Sequence, residues 1–325
     1  MTAVLPAVIV GGYLGAGKTT LVNHLLRHAG GRRIAVMVND FGAIDIDADL
    51  IESRDDEVIG IAGGCVCCSV GSDLIGALVG LPERTPPPEL VLIETSGVAL
   101  PGSVARSVRL AAGIEVDAVV VLADAETIRA RAGDPYVGDM VLRQLADADL
   151  LVLNKVDLVA PAGLPALRDW LDAVAPRARR IEAVEARVAV DVLLGSADGG
   201  DPSPRVADVL GARHTDPDGA PLRRPSNAAD VFESAGFRLD VPVDPAALAA
   251  ALADPSLGLV RAKGIVVAPD GTTAVVQVVG PRTRVSPVAE GAGAALAGRL
   301  VAIGLRGRFD PAAVRAAIAA SAPER

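Results

Sequence analysis

The 325-residue chain is poor in aromatic residues, at 2%, and contains only three lysines. Its Lys and Arg total 31 against 40 Asp and Glu, a formal net charge of -9. A nucleic-acid backbone is held by clustered cations, which this chain does not display, so the composition argues against nucleic acid and for a small-molecule or protein partner. Long hydrophobic runs are missing as well. No segment offers about 18 uninterrupted apolar residues, and no membrane span is expected. The apolar opening, MTAVLPAVIVGGYLGAGK, has no basic region and runs straight into a glycine-rich motif, so it reads as a buried first strand and not as a leader. All three cysteines fall in one C-x-C-C cluster, residues 65 to 68. Adjacent cysteines pair only with strain and one thiol is left over, which excludes a disulfide framework and points to a reducing cytoplasm.

The chain is rich instead in aliphatic residues and glycine, with 51% hydrophobic residues, enough for one large domain and a smaller one. Short Val, Ile and Leu runs alternate with segments of helical period, the pattern of crossover units building a parallel sheet. Strands are predicted at AVIV (7 to 10), IAVMV (34 to 38), LVLIE (90 to 94), AVVVLAD (118 to 124), DLLVLN (149 to 154) and RIEAV (180 to 184). Helices are predicted to begin near Lys18, Ser72, Gly102, Pro135 and Pro165. The layout is a phosphate-loop α/β fold with a doubly wound, mostly parallel sheet over residues 1–194, with ligands expected at the carboxyl ends of the strands. Residues 195–229 are dense in Gly, Pro, Asp and Arg without apolar period and read as a flexible linker. Residues 230–325 suggest a smaller α+β domain, with helices at DPAALAAALAD and DPAAVRAAIAAS.

Gly12, Gly17, Lys18 and Thr19 satisfy G-x-x-x-x-G-K-[ST], between a predicted strand and a predicted helix. Such a loop, here Gly12, Gly15, Ala16 and Gly17, turns backbone N–H groups around phosphate oxygens, where a Cβ would block the approach. Lys18 would reach the β- and γ-phosphates, Thr19 would offer its hydroxyl to Mg²⁺, and Thr20 opens the helix whose positive end faces the anion. ETSG, residues 94 to 97, closes a strand where an acid beside Mg²⁺ belongs: Glu94 fills that role and Gly97 could sense the γ-phosphate through its N–H. A helix N-cap at Thr95 or Ser96 is compatible with the same residues. NDFG, residues 39 to 42, is a candidate first switch with Asp40 near metal and phosphates. NKVD, residues 154 to 157, closes a late strand. Asn154 and Asp157 can bond the guanine edge, Asp157 accepting from the ring N–H and exocyclic amine, while the stem of Lys155 covers the ring. This favours GTP and GDP over adenine nucleotides.

Cys65, Cys67 and Cys68 lie between the first switch and the strand of Glu94. Thiolates suit Zn²⁺ or Co²⁺. Neighbouring side chains seldom both turn onto one ion, so two of the three, Cys65 and Cys67, are expected to bind with an outside ligand. His24 and His28, at i, i+4 spacing, are a weaker candidate pair, lacking a third ligand.

The order GGYLGAGKTT, NDFG, GGCVCC, ETSG, NKVD resembles the CobW family of phosphate-loop GTPases. RQLADADLLVLNKVDL (143 to 158) is similar to the stretch these proteins carry before their guanine motif, and LVRAKGIV (259 to 266) resembles a signature of their C-terminal domain. The resemblance implies a low-turnover GTPase that delivers Zn²⁺ or Co²⁺ to a client metalloprotein, with its cargo site at Cys65, Cys67 and Cys68 and a C-terminal domain that meets clients. The chain departs from the family pattern at Asp40 and Ala43, where NEFGE is usual, and at Leu100, where a polar or acidic residue commonly precedes the proline. It also lacks the His-rich loop of many members, having only His214 in its linker.

Overall fold

The computed structural model describes residues 4–38, 72–194, 232–288 and 297–323. The chain separates into two compact units, Met1–Leu194 and Gly195–Arg325.

In the first unit six parallel strands, β1 (Leu5–Gly12), β2 (Ile34–Val38), β3 (Leu90–Glu94), β4 (Ile114–Asp124), β5 (Leu150–Asn154) and β6 (Arg179–Ala183), form one sheet in the order β2-β3-β1-β4-β5-β6. Strands covered on both faces need apolar residues at every position, and the sequences IAVMV and LVLIE are buried along their full length. On one face Ala7, Ile9, Val91, Ile93, Val119 and Val121 join a core with α3 (Pro101–Val108) and α5 (Gly138–Ala146). Their neighbours Val8, Val10, Leu92 and Val120 are buried too. α1 (Lys18–Arg27) packs on β1 and β3 through its buried Leu21, Val22 and Leu25. Each such side chain contributes about 1.5–3 kcal/mol by leaving water.

The other α-helices among the described residues of this unit are α2 (Ser72–Val79), α4 (Ile128–Ala132), α6 (Leu164–Val174) and α7 (Val190–Leu194). The helix predicted near Pro135 begins instead at Gly138. The Asp134 carboxylate accepts the N–H groups of Tyr136 and Val137, at 2.8 and 3.3 Å, and this turn holds the backbone out of the helix until Gly138.

The second unit is a five-stranded antiparallel sheet in the order β10-β9-β8-β11-β7. Its strands are β7 (Phe232–Arg238), β8 (Leu259–Val267), β9 (Thr273–Val279), β10 (Arg282–Pro287) and β11 (Arg299–Leu305). The edge strand β10, RTRVSP, has no residue fully buried and no apolar run, which is why its sequence does not announce it. α8 (Pro245–Leu252) and α9 (Pro311–Ala320) lay Leu248, Leu252, Val314 and Ile318 on Ala262, Val276, Val278 and Leu300.

Both helices start from Asp-Pro. Asp244 accepts from the N–H groups of Ala246 and Ala247, and Asp310 from that of Ala312. The following proline has no N–H to leave unsatisfied, so the pair is a strong start signal. Asp244→Ala is expected to cost about 1 kcal/mol, read as a lower urea midpoint for the C-terminal unit, while Asp244→Ser retains most of that stability.

Candidate nucleotide site

Parallel pairing puts every carboxyl end on one edge of the sheet. The register aligns Val10 with Glu94, Gly12 with Leu122, Asp124 with Asn154 and Asn154 with Ala183. The loops carrying GGYLGAGKTT, ETSG and NKVD therefore leave the sheet side by side.

Two glycines of the phosphate loop are required by their surroundings. At Gly12, φ is 131° and a Cβ would stand 2.3 Å from the Leu122 carbonyl oxygen. At Gly17, φ is 101° and a Cβ would stand 2.6 Å from Asn154 Nδ2. Any L-residue would strain the backbone and push the loop off its neighbours. Gly15 and Thr20 are exposed, Ala16 is buried, and Lys18 is buried with its Nζ 3.5 Å from the Tyr13 carbonyl. The Tyr13 ring lies under Arg131, 5.8 Å from the guanidinium carbon. α1 starts from Gly17 with no side-chain cap, in contrast to α8 and α9. The Cβ direction of Gly15 meets nothing within 4 Å and the start of α1 takes no side-chain cap, a backbone arrangement that fits a nucleotide phosphate.

Thr19 donates its hydroxyl to Glu94 Oε1 at 2.8 Å. Glu94 is buried at the end of β3, so a carboxylate and a hydroxyl meet at the mouth of the loop, a hard oxygen set that suits Mg²⁺. Thr95 and Ser96 cap no helix. Thr95 extends the strand by donating its N–H to the Val10 carbonyl, and α3 begins at Pro101 after Leu100. Leu100 offers no cap; the Asp147 carboxylate, from the end of α5, accepts the Gly102 N–H at 2.8 Å. Gly97 presses on the phosphate loop, where a Cβ would lie 2.9 Å from the Leu14 nitrogen.

The base motif divides its labour. Asn154 donates Nδ2 to the Ala16 carbonyl at 3.0 Å and accepts the Ala186 N–H on Oδ1 at 2.8 Å. Its amide ties the phosphate loop to the loop after β6, where Glu185 and Ala186 both have positive φ, 51° and 53°. Lys155 ion-pairs with Asp124 at 2.7 Å, which pins its stem. Asp157, in a short 3-10 turn, is exposed.

Asp124, Gln144 and Ala186 are site residues that motif reading did not single out. Gln144 is buried on α5 and donates Nε2 to the carbonyls of Gly97, 3.0 Å, and Ala99, 2.8 Å. Only the amide nitrogen can face two carbonyls, so this orientation is chemically determined. Asp149 accepts the Val119 N–H on Oδ2 at 2.8 Å. Gln144, Asp147 and Asp149 of RQLADAD thus serve as anchors for the ETSG loop, for α3 and for β4.

Asp40, Ala43, Cys65, Cys67, Cys68 and His214, with the rest of NDFG and of the 195–229 segment, lie outside the described residues. The His pair is placed otherwise than as a chelate. His24 Nε2 lies 2.9 Å from the Val188 carbonyl, and His28 Nδ1 lies 2.8 Å from the His24 carbonyl. The first of these joins α1 to the loop after β6.

Residues 6–182 match the CobW/HypB/UreG nucleotide-binding domain. Residues 232–322 match the cobalamin synthesis protein cobW C-terminal domain. The chain belongs to the CobW family. Among its relatives, Zinc chaperone CobW of a Sinorhizobium species is 33% identical, over 97% of each chain. Zinc chaperone CobW of Pseudomonas aeruginosa is 35% identical over 59% of this chain and 60% of its own length. Zinc-regulated GTPase metalloprotein activator 1 of Schizosaccharomyces pombe is 30% identical over 57% of this chain and 47% of its own.

Burial pushes the His24 imidazole below its ordinary pKa of 6.5, outweighing the opposite effect of the bond to Val188, and the nearby His28, Arg187 and Arg27 push it the same way as burial. The neutral form is favoured on folding, so its contribution is present above pH 6.5 and is lost as pH falls below that value through the folded pKa. The urea midpoint is expected to drop between pH 7.5 and pH 5, and to drop less in His24→Gln; equal drops would show that His24 does not carry the effect.

Proposed function

We propose that this CobW-family chain is a GTP-binding, slowly GTP-hydrolysing metallochaperone that takes Zn²⁺ or Co²⁺ as cargo and passes it to a client metalloprotein. The observation carrying the nucleotide half is the shared strand edge: the phosphate loop, the Thr19–Glu94 pair and NKVD open side by side, with Asn154 tying the first to the last. The names of the relatives support the metal half.

Asn154 sets the distance between phosphate and base loops, and exposed Asp157 accepts the guanine ring N–H and exocyclic amine. Lys155, held by Asp124, lays its stem along the ring. Gly12, Gly15, Ala16, Gly17 and Thr20 frame the phosphates, with Lys18 against the β- and γ-oxygens. Thr19 and Glu94 would hold Mg²⁺, which supplies neutralisation of phosphate charge. Gly97 and Asp40 contact the γ-phosphate region. No residue is assigned as a general base for water, consistent with slow intrinsic turnover.

Cys65, Cys67 and Cys68 stand in sequence between the segments of Asp40 and Glu94, so ordering of those segments by GTP repositions the thiolates. Coupling is reciprocal: about tenfold in metal affinity corresponds to ~1.4 kcal/mol, and the metal favours GTP by the same factor. In this reading residues 1–194 form the GTPase domain, 195–229 a linker and 230–325 the client-facing domain, in a reducing cytoplasm.

Anaerobic titration with Zn²⁺ and Co²⁺ in Mg·GDP and in a nonhydrolysable Mg·GTP analogue tests the coupling. Affinity is expected to differ by about tenfold or more between nucleotides and to collapse in Cys65→Ser. Indifference to nucleotide would leave a GTPase acting only through protein partners. The base assignment has its own check. In Asp157→Asn the side-chain amide donates where the carboxylate accepted, so preference should pass from GTP to xanthosine triphosphate, whose ring carries a carbonyl there; unchanged preference for GTP in a competition assay would refute Asp157 as the guanine acceptor.

A further inference from the structure

Gln144 combines three properties that no phosphate or base motif explains. It is 1% exposed, it spends both amide hydrogens on one loop, and its Oε1 is buried with no hydrogen-bond partner among the described residues. A side chain kept only to fill the core would be apolar at this position, next to Leu145 and Val141, because a desolvated acceptor is a cost an apolar residue avoids. What the amide supplies is position. The carbonyls of Gly97 and Ala99 point to it, and the same turn is closed by the Ala99 N–H on the Ser96 carbonyl at 3.0 Å.

The loop is held again just beyond, where Asp147 accepts the Gly102 N–H. Gln144 and Asp147 lie at i, i+3 at the end of α5, so one helix turn grips the loop at residues 97, 99 and 102. On its other side Gly97 has no room to retreat, since the space of a Cβ is taken by Leu14 of the phosphate loop. Gly97 is therefore clamped between α5 and the phosphate loop.

We propose that Gln144 is a positioning residue that sets the Gly97 N–H for the γ-phosphate, and that it thereby governs discrimination between GTP and GDP. The inference rests on the nucleotide reading above and adds to it the residue on which the discrimination depends. Diphosphate binding uses the phosphate loop, which Gln144 does not touch. Triphosphate binding also uses Gly97, which it holds. Loss of the amide should consequently separate the two nucleotides, whereas loss of a merely structural residue would weaken both alike.

The test is the affinity of full-length Gln144→Met for Mg·GDP and for a nonhydrolysable Mg·GTP analogue, beside the wild type. GDP affinity is expected to stay within about twofold while that for the GTP analogue falls about tenfold or more. Parallel weakening of both, or no change in either, overturns the proposal. Should Gln144→Met fail to fold, the side-chain NH₂ resonances of Gln144 in the wild type decide: a shift between the two nucleotide states supports the clamp, and identical resonances overturn it. If the wild type itself binds no guanine nucleotide, the underlying reading fails along with the inference; if it binds and discriminates while the variant does so equally, the inference alone fails.

Discussion

The side-chain amide of Asn154 is the contact on which the geometry of the nucleotide site depends. It stands at the end of β5 and bonds in opposite senses to two loops, donating to Ala16 and accepting from Ala186. Both bonds are buried, so their loss would leave a desolvated carbonyl or N–H at a cost of about 1–3 kcal/mol each. The glycine at position 17 follows from the same contact, since Asn154 Nδ2 occupies the place of a Cβ. A base motif and a phosphate motif separated by 138 residues are in this sense one object.

A second layer of polar residues supports that object from behind. Asp124 holds Lys155, Gln144 holds the ETSG loop, Asp147 caps α3 and Asp149 pairs with Val119. Parallel strands buried on both faces leave few places for hydrophilic groups, and these sit where backbone leaves the sheet and its own ladder can no longer satisfy it. The C-terminal unit meets the same need more locally, with aspartates that cap the helix starting at the next residue.

Local need and remote need also separate what was legible in the sequence. IAVMV and LVLIE gave strands with the predicted ends, because apolar runs bounded by charge and turn residues have few alternatives. The phosphate loop was legible from spacing, since its signature falls between Gly12 and Thr19, although the neighbours that demand Gly12 and Gly17, Leu122 and Asn154, lie far along the chain. Asp124, Gln144 and Ala186 were not, because their partners lie 31, 47 and 32 residues away and nothing in their own neighbourhood distinguishes them. β10 is hard to read for another reason: an edge strand half in contact with solvent carries no apolar run to detect. Leu100 looked like a missing polar group, and the structure supplies that group from Asp147 on α5.

The chain uses arginine almost everywhere it needs a cation, yet keeps lysine at positions 18, 155 and 263. A planar guanidinium could not replace the compact ammonium in the tight space beside the Tyr13 carbonyl or on Asp124 without altering the approach. Two of the three side-chain amines in the molecule are therefore at the phosphate loop and the base motif. A reagent directed at lysine side chains therefore meets two of its three targets at the nucleotide site, one of them buried and the other ion-paired to Asp124.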